Sequence, residues 1–162
     1  MSDQSLHQRD LRRRDLRRYA LLLAAQTGCA AVVLSNIHAG FRILIENIGT
    51  PNAPPASGVF LLLVAAALGQ ACYWHRLSHI PLPQGYHSIG LGHLLSFGSR
   101  LGFIWGGALF SVYSLRHAPA LALAPLDLVW RGALLIAVLF SLYCYTLELE
   151  RLGSALQTPP TA

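Results

Sequence analysis

Charged side chains are scarce in this 162-residue chain, and lysine is absent. Only 12% of the residues are charged while 54% are hydrophobic, and that charged fraction is about half of what soluble domains carry. Too few charges remain to cover a globule with water-facing groups. The composition therefore argues against an ordinary soluble domain and indicates a membrane protein, and the length favours a single domain.

Paired cysteines are also missing. Cys29, Cys72 and Cys144 form no Cys-x-x-Cys motif, whereas four-span quinone-linked disulfide oxidoreductases need cysteine pairs in their outer loops. That enzyme class is excluded, and each cysteine is expected to be a small buried apolar residue. No haem-attachment motif, phosphate-cradling loop or nucleophile elbow occurs either, so no catalytic residues are predicted.

Carboxylates are few, with seven Asp and Glu in total, and none falls within the core of a predicted membrane span. A proton relay or cation pathway through a membrane usually depends on such residues. The sequence therefore predicts neither.

Long apolar runs dominate the rest of the chain. Four of them approach the roughly 20 residues that a helix needs to cross the hydrocarbon, at about residues 19–39, 58–75, 90–115 and 128–147. Lipid offers the backbone no hydrogen-bond partners, so these spans should be helices. The predicted fold is an all-α integral membrane protein, a four-transmembrane-helix bundle over residues 19–147.

Arginine is concentrated at the start of the chain. Six of the twelve arginines lie within residues 1–18, namely Arg9, Arg12, Arg13, Arg14, Arg17 and Arg18. An arginine cluster directly before an apolar run typically holds that end in the cytoplasm, and it outweighs a nucleic-acid interpretation. We expect an uncleaved signal anchor, because the first apolar run is too long for a signal-peptide core.

Four spans place both termini on the cytoplasmic side. The segments 40–57 and 116–125 then face outward, while the segment between the second and third spans and the tail 148–162 face the cytoplasm. Asp127 and Arg131, four residues apart, are expected to anchor the outer start of the fourth span.

A cysteine and two histidines share one stripe at the end of the second span. Cys72, His75 and His79 stand at i, i+3 and i+7, a spacing that suits a soft or borderline metal. The competing interpretation is a bilayer boundary, because Pro81 and Pro83 end the helix there and histidine is comfortable at an interface. The boundary interpretation is favoured.

A haem or quinone would need ligands on two facing helices. His93, with His75 or His79, is the candidate pair on the cytoplasmic side, and Arg100 lies seven residues beyond His93 on the same stripe. His38 and His117 are the corresponding pair on the outer side. Arg100 itself is predicted either to snorkel to the interface or to contact an anionic ligand, a quinone or a partner.

Small residues form two ridges that favour close helix packing. Gly98, Gly102 and Gly106 repeat every four residues on the third span, as do Ala20, Ala24 and Gly28 on the first. These ridges are predicted to pack together within one bundle or to join subunits. Gln26, Thr27, Asn36 and Gln70 are expected to form interhelical hydrogen bonds.

The sequence therefore favours a non-catalytic protein of the cytoplasmic (inner) membrane. Its expected role is that of an accessory, assembly or regulatory subunit, with lipid, other membrane subunits or a second copy as partners and no nucleic acid. One alternative is a redox protein that holds haem b, quinone or a transition metal between spans two and three. The other is a small oligomeric channel. No cofactor is predicted, and an absorption spectrum with metal analysis separates the first two hypotheses.

Overall fold

The computed structural model describes the backbone of residues 2–46, 56–83, 87–117 and 125–158, and the side chains of 13–43, 45–46, 56–83, 87–109, 129–130 and 132–158. Across these residues the chain forms four helices and no strand. They are α1 (Ser2–Glu46), α2 (Ala56–His79), α3 (Ile89–His117) and α4 (Pro125–Gln157). The predicted all-α class is confirmed.

Among the described residues, three helices contain segments that are long and apolar enough to cross a membrane. These segments are Arg13–Ile43, Ala56–His79 and Gly132–Gln157. They support the prediction of a membrane protein. The helix α3 is 29 residues long but is not among the three, and its described part contains the polar residues His93 and Arg100.

Both terminal helices are longer than the apolar runs that predicted them. The helix α1 begins at Ser2, within the arginine-rich segment, because arginine is a good helix former. The helix α4 continues beyond Leu147 to Gln157, where Leu149, Leu152 and Leu156 maintain the i, i+3, i+7 apolar spacing of a helix.

The four helices do not follow chain order around the bundle. The helix α1 packs against α2, and α3 packs extensively against α4, so each sequential pair forms a hairpin. The two hairpins pack together because α2 contacts α4 and α1 contacts α3. The helix α1 also contacts α4 across the middle of the bundle. Among the described residues α2 and α3 make no contact with each other, so they lie on opposite corners.

The described residues between α2 and α3, 80–83 and 87–88, lie at one end of the bundle. Ile80 from this segment is buried with Tyr19 of α1 and with Leu152 and Leu156 of α4. Ser88 fixes the start of α3, since its Oγ accepts a hydrogen bond from the Leu91 N–H at 3.4 Å and its own N–H donates to the Leu156 carbonyl at 3.0 Å. We call this the α2–α3 end of the bundle.

A second apolar cluster fills the middle of the bundle. It is formed by α1, α2 and α4, and its buried members are Ala30, Val33, Ile37, Leu62, Ala65, Val138 and Leu142. Large apolar side chains such as Leu21, Phe60, Ile104 and Ile136 point outward instead. Outward apolar side chains are what a helix surrounded by lipid carries.

Candidate functional site

Three helices meet at a buried cluster of charged and polar groups at the α2–α3 end. Glu148 of α4 is 1% exposed, Tyr19 of α1 is 3% exposed and Arg76 of α2 is 4% exposed. Arg76 Nη2 forms an ion pair with Glu148 Oε2, and the Tyr19 hydroxyl donates to Glu148 Oε1 at 2.9 Å. Both carboxylate oxygens of Glu148 are therefore occupied by neighbours from different helices.

The Arg76 guanidinium also lies 5.8 Å from the centre of the Tyr19 ring. A cation at this distance is attracted to the electron-rich face of an aromatic ring. Tyr19 thus contacts both members of the ion pair, through its hydroxyl and through its ring. The arrangement neutralises a cation and an anion inside the bundle and links α1, α2 and α4.

Glu148 was expected in the cytoplasmic tail, and the structure shows that its side chain is buried against neighbouring helices. The apolar run ends at Leu147, so Glu148 was placed in the cytoplasmic tail, whereas it lies on α4 within the segment Gly132–Gln157. The sequence did contain a pattern that indicates a buried position for Glu148. Glu148, Leu152 and Leu156 stand at i, i+4 and i+8, which places the carboxylate on the same stripe as two apolar residues.

A second ion pair joins α3 to α4. Arg100 Nε lies 3.3 Å from Glu150 Oε1, and both side chains remain partly exposed, at 75% and 38%. Arg100 was predicted to snorkel or to contact a ligand or partner, and a carboxylate of its own chain was not considered. Glu148 and Glu150 thus face different neighbours of α4.

Hydrogen bonds extend from the cluster toward the middle of the bundle. The Tyr145 hydroxyl donates to Thr27 Oγ1 at 3.0 Å, Ser141 Oγ donates to the Ala66 carbonyl at 3.2 Å, and Gln70 Nε2 donates to the Phe140 carbonyl at 3.4 Å. All three bonds connect α4 to α1 or α2. Together with the Arg100–Glu150 pair, these bonds link α4 to each of the other three helices.

Thr27 and Gln70 form the interhelical hydrogen bonds that were expected of them, whereas Asn36 does not. Asn36 Nδ2 donates to the Val32 carbonyl of its own helix at 2.9 Å. Gln26 is 3% exposed and lines a crevice with Cys29, Ser141 and Tyr145, while its Nε2 has no hydrogen-bond partner among the described residues.

The predicted metal ligands Cys72, His75 and His79 lie on one stripe of α2, as their spacing requires. His75 and His79 are exposed and their rings stack, with centres 4.7 Å apart, while Cys72 is half-buried. His79 Nδ1 lies 3.1 Å from the His75 carbonyl oxygen. Among the described residues no group of three or more His, Cys, Asp or Glu side chains is arranged to hold a metal ion, so this site stays a prediction.

The predicted cofactor residues occupy two helices that do not touch in the described part of the chain. His75 and His79 are on α2, while His93 and Arg100 are on α3, and Arg100 pairs with α4. His93 is exposed. The haem, quinone and metal alternatives therefore remain predictions without a shared interface to support them.

His38 is exposed on α1, and the side chains of His117, Asp127 and Arg131 lie outside the described residues.

The predicted small-residue ridges face mostly outward. Ala20, Ala24, Gly28 and Gly98 are exposed, and a Cβ built on Gly28, Gly98 or Gly102 would meet no atom within 4 Å. Gly106 is packed, since its Cβ would lie 3.0 Å from Leu34 Cδ2. The two ridges therefore do not pack against each other within the bundle.

A close approach of α3 and α4 involves a glycine pair that was not predicted from the sequence. A Cβ on Gly92 of α3 would lie 2.6 Å from the Gly153 carbonyl oxygen, and a Cβ on Gly153 of α4 would lie 2.9 Å from the Gly92 carbonyl oxygen. These distances leave no room for a side chain. Because the two glycines sit on different helices, no spacing rule within one span identifies the pair.

Comparison of the chain with protein families, with curated proteins and with solved structures gave no match.

Proposed function

We propose that this chain is a four-span protein of the cytoplasmic (inner) membrane that acts without catalysis, as an accessory, assembly or regulatory subunit of a membrane complex. The observation that carries the proposal is the outward face of α1. That face is lined by small residues at helical spacing, and its described members are all exposed. They are Ala24, Gly28, Ala31, Ser35 and Ala39.

These residues are spaced by four, three, four and four positions, which keeps them on one side of the helix. Small residues allow the backbones of two helices to approach closely, and dispersion contacts then replace the hydrophobic drive that is missing in lipid. A helix from another subunit, or α1 of a second copy, fits such a face.

The charged groups at the α2–α3 end support the same interpretation. Arg76 and Arg100 each pair with a glutamate of α4, so the bundle neutralises these two cations without a partner. Association then depends on the outer faces rather than on the interior.

The proposal includes α3 as the fourth span, with both termini in the cytoplasm. The helix α3 packs along α4, and its pairing with Glu150 reduces the cost of placing Arg100 in or near the membrane. Arg13, Arg14, Arg17 and Arg18 are exposed at the start of the first span, which favours a cytoplasmic N-terminus.

The test substitutes the centre of the α1 face. Gly28→Leu places a bulky side chain on this face, and it should abolish association with a second copy or a partner in membranes. The free energy of unfolding should not change, because no atom lies within 4 Å of a Cβ built on Gly28. Gly98→Leu on α3 is the matched control, since its site is equally open. Association is measured by energy transfer between labelled copies and by photo-crosslinking at Ser35 in native membranes.

A wild-type protein that neither transfers energy nor gives a Ser35 crosslink would contradict the proposal. Equal crosslinking in Gly28→Leu and wild type would contradict it as well.

A further inference from the structure

We infer that the exposed arginines at the start of the α1 span form a binding surface for anionic phospholipid headgroups. The surface consists of Arg13, Arg14, Arg17 and Arg18, all of which are exposed. This inference is independent of the proposed association, because it concerns the lipid at one end of α1 rather than a protein on its small-residue face.

The four arginines share one side of the helix. At about 100° per residue they lie within an arc of about 140° that is centred opposite the buried Tyr19. Asp15, the one carboxylate among residues 13–18, is half-buried and lies on the side of Tyr19. The described part of this arc therefore carries four positive charges and no negative charge.

The spacing places like charges next to each other. Arg13 and Arg17, and likewise Arg14 and Arg18, stand at i and i+4, where side chains are neighbours and equal charges repel. Arg42 and Glu46 near the other end of α1 show the opposite arrangement, with an i, i+4 ion pair of 3.2 Å. An anion from outside the chain would relieve the repulsion at the arginine surface.

The depth of the surface matches the headgroup layer. Leu21, on the same side of α1, is 71% exposed and marks apolar surface that faces lipid. Measured along the helix axis at 1.5 Å per residue, Arg18 lies about 4.5 Å from Leu21 and Arg13 about 12 Å from it, both toward the N-terminus. One headgroup layer is about 5–8 Å thick, so Arg17 and Arg18 lie at its depth. Arg13 and Arg14 lie just beyond it, and their long side chains can reach back to the phosphates.

The residue type points to phosphate. All twelve basic residues of the chain are arginine, and guanidinium groups bind phosphate through two parallel hydrogen bonds, which lysine does not. Phosphatidylglycerol and cardiolipin offer a phosphate with a net negative charge, whereas the phosphate of phosphatidylcholine is neutralised by its own choline.

The test uses the full chain purified in detergent, with equimolar phosphatidylglycerol and phosphatidylcholine, and counts the lipids retained by native mass spectrometry. The wild type should prefer phosphatidylglycerol by at least about tenfold, since each arginine near an anionic surface contributes about fivefold. The preference should fall as NaCl rises from about 0.05 to 0.5 M, where charges are screened. This wild-type measurement does not depend on any variant folding.

Two double variants locate the site. R13Q/R14Q and R17Q/R18Q should each lower the preference severalfold, and each leaves four of the six N-terminal arginines to direct insertion. Arg42→Gln is the matched control, an exposed arginine of the same helix that already has a carboxylate partner, and it should keep the wild-type preference.

Three results would overturn the inference. The first is equal retention of the two lipids by the wild type, and the second is an unchanged preference in both double variants. The third is displacement of phosphatidylglycerol by millimolar inorganic phosphate or by a short RNA, which would identify a free-anion or nucleic-acid surface instead.

Discussion

At the scale of single residues, Glu148 connects α4 to both α1 and α2 at the α2–α3 end of the bundle. Its two oxygens contact Tyr19 and Arg76, and among the described residues it is the largest side chain that is less than 2% exposed. A buried ion pair adds little net stability when both partners are present, but removal of one partner leaves an uncompensated charge. The contribution of Glu148 is therefore revealed by single substitutions.

Glu148→Gln should destabilise the protein by about 3–5 kcal/mol, because the cation of Arg76 remains buried without its anion. The measurement is the free energy of unfolding in detergent by titration with a denaturing surfactant. Glu46→Gln is the control. It breaks the exposed pair with Arg42 and should change stability by less than about 1 kcal/mol.

Replacement of both partners separates charge from packing. R76M/E148M removes the two charges together and should recover most of the stability lost in Glu148→Gln, since paired apolar replacements are often neutral. If the double variant were as unstable as the single one, the loss would come from packing and the role assigned to the ion pair would be wrong.

At the scale of elements, the sequence predicted the helices from their apolar runs but did not predict their contacts. Periods of three and four residues reveal a helix and its faces within one segment. The pairing of Arg76 with Glu148, and of Gly92 with Gly153, depends on how two distant segments meet. That information is absent from the spacing of either segment alone.

The apolar criterion also explains why the helix α4 is longer than the predicted fourth span. The first charged residues after Leu147 ended the predicted fourth span, although the leucines at 149, 152 and 156 continue the helical pattern. An explicit search for apolar periodicity beyond the charged pair would have extended α4 and brought Glu148 into the bundle.

Gly153→Ala should destabilise the α3–α4 hairpin by about 1–3 kcal/mol, because overpacking forces the two backbones apart. The added methyl group would lie 2.7 Å from Ser96 Oγ and 2.9 Å from the Gly92 carbonyl oxygen. Gly98→Ala is the matched control on open helix surface and should be neutral or stabilising by up to about 1 kcal/mol. Thermal unfolding of the two variants in the same detergent distinguishes them, and equal midpoints would contradict the close approach.

At the scale of the whole molecule, the proposed topology assigns a side of the membrane to every connection. In a background without native cysteines, a cysteine at Ala53 should react with an impermeant thiol reagent in intact cells. Cysteines at Ser5, His87 or Thr158 should react only after the membrane is opened, because four spans place these three positions on the cytoplasmic side. Labelling of His87→Cys from outside would rule out α2 as a span in the proposed direction.

The positions of the helices around the bundle have a consequence for the order of assembly. Because α1 and α2 form one hairpin and α3 and α4 the other, Arg76 and Glu148 belong to different hairpins and become paired only when the two hairpins dock. An α1–α2 hairpin on its own would hold Arg76 without its carboxylate partner. Docking in a wrong register would leave both charges unpaired, which is costly away from water, so the ion pair disfavours incorrect pairings of the two halves.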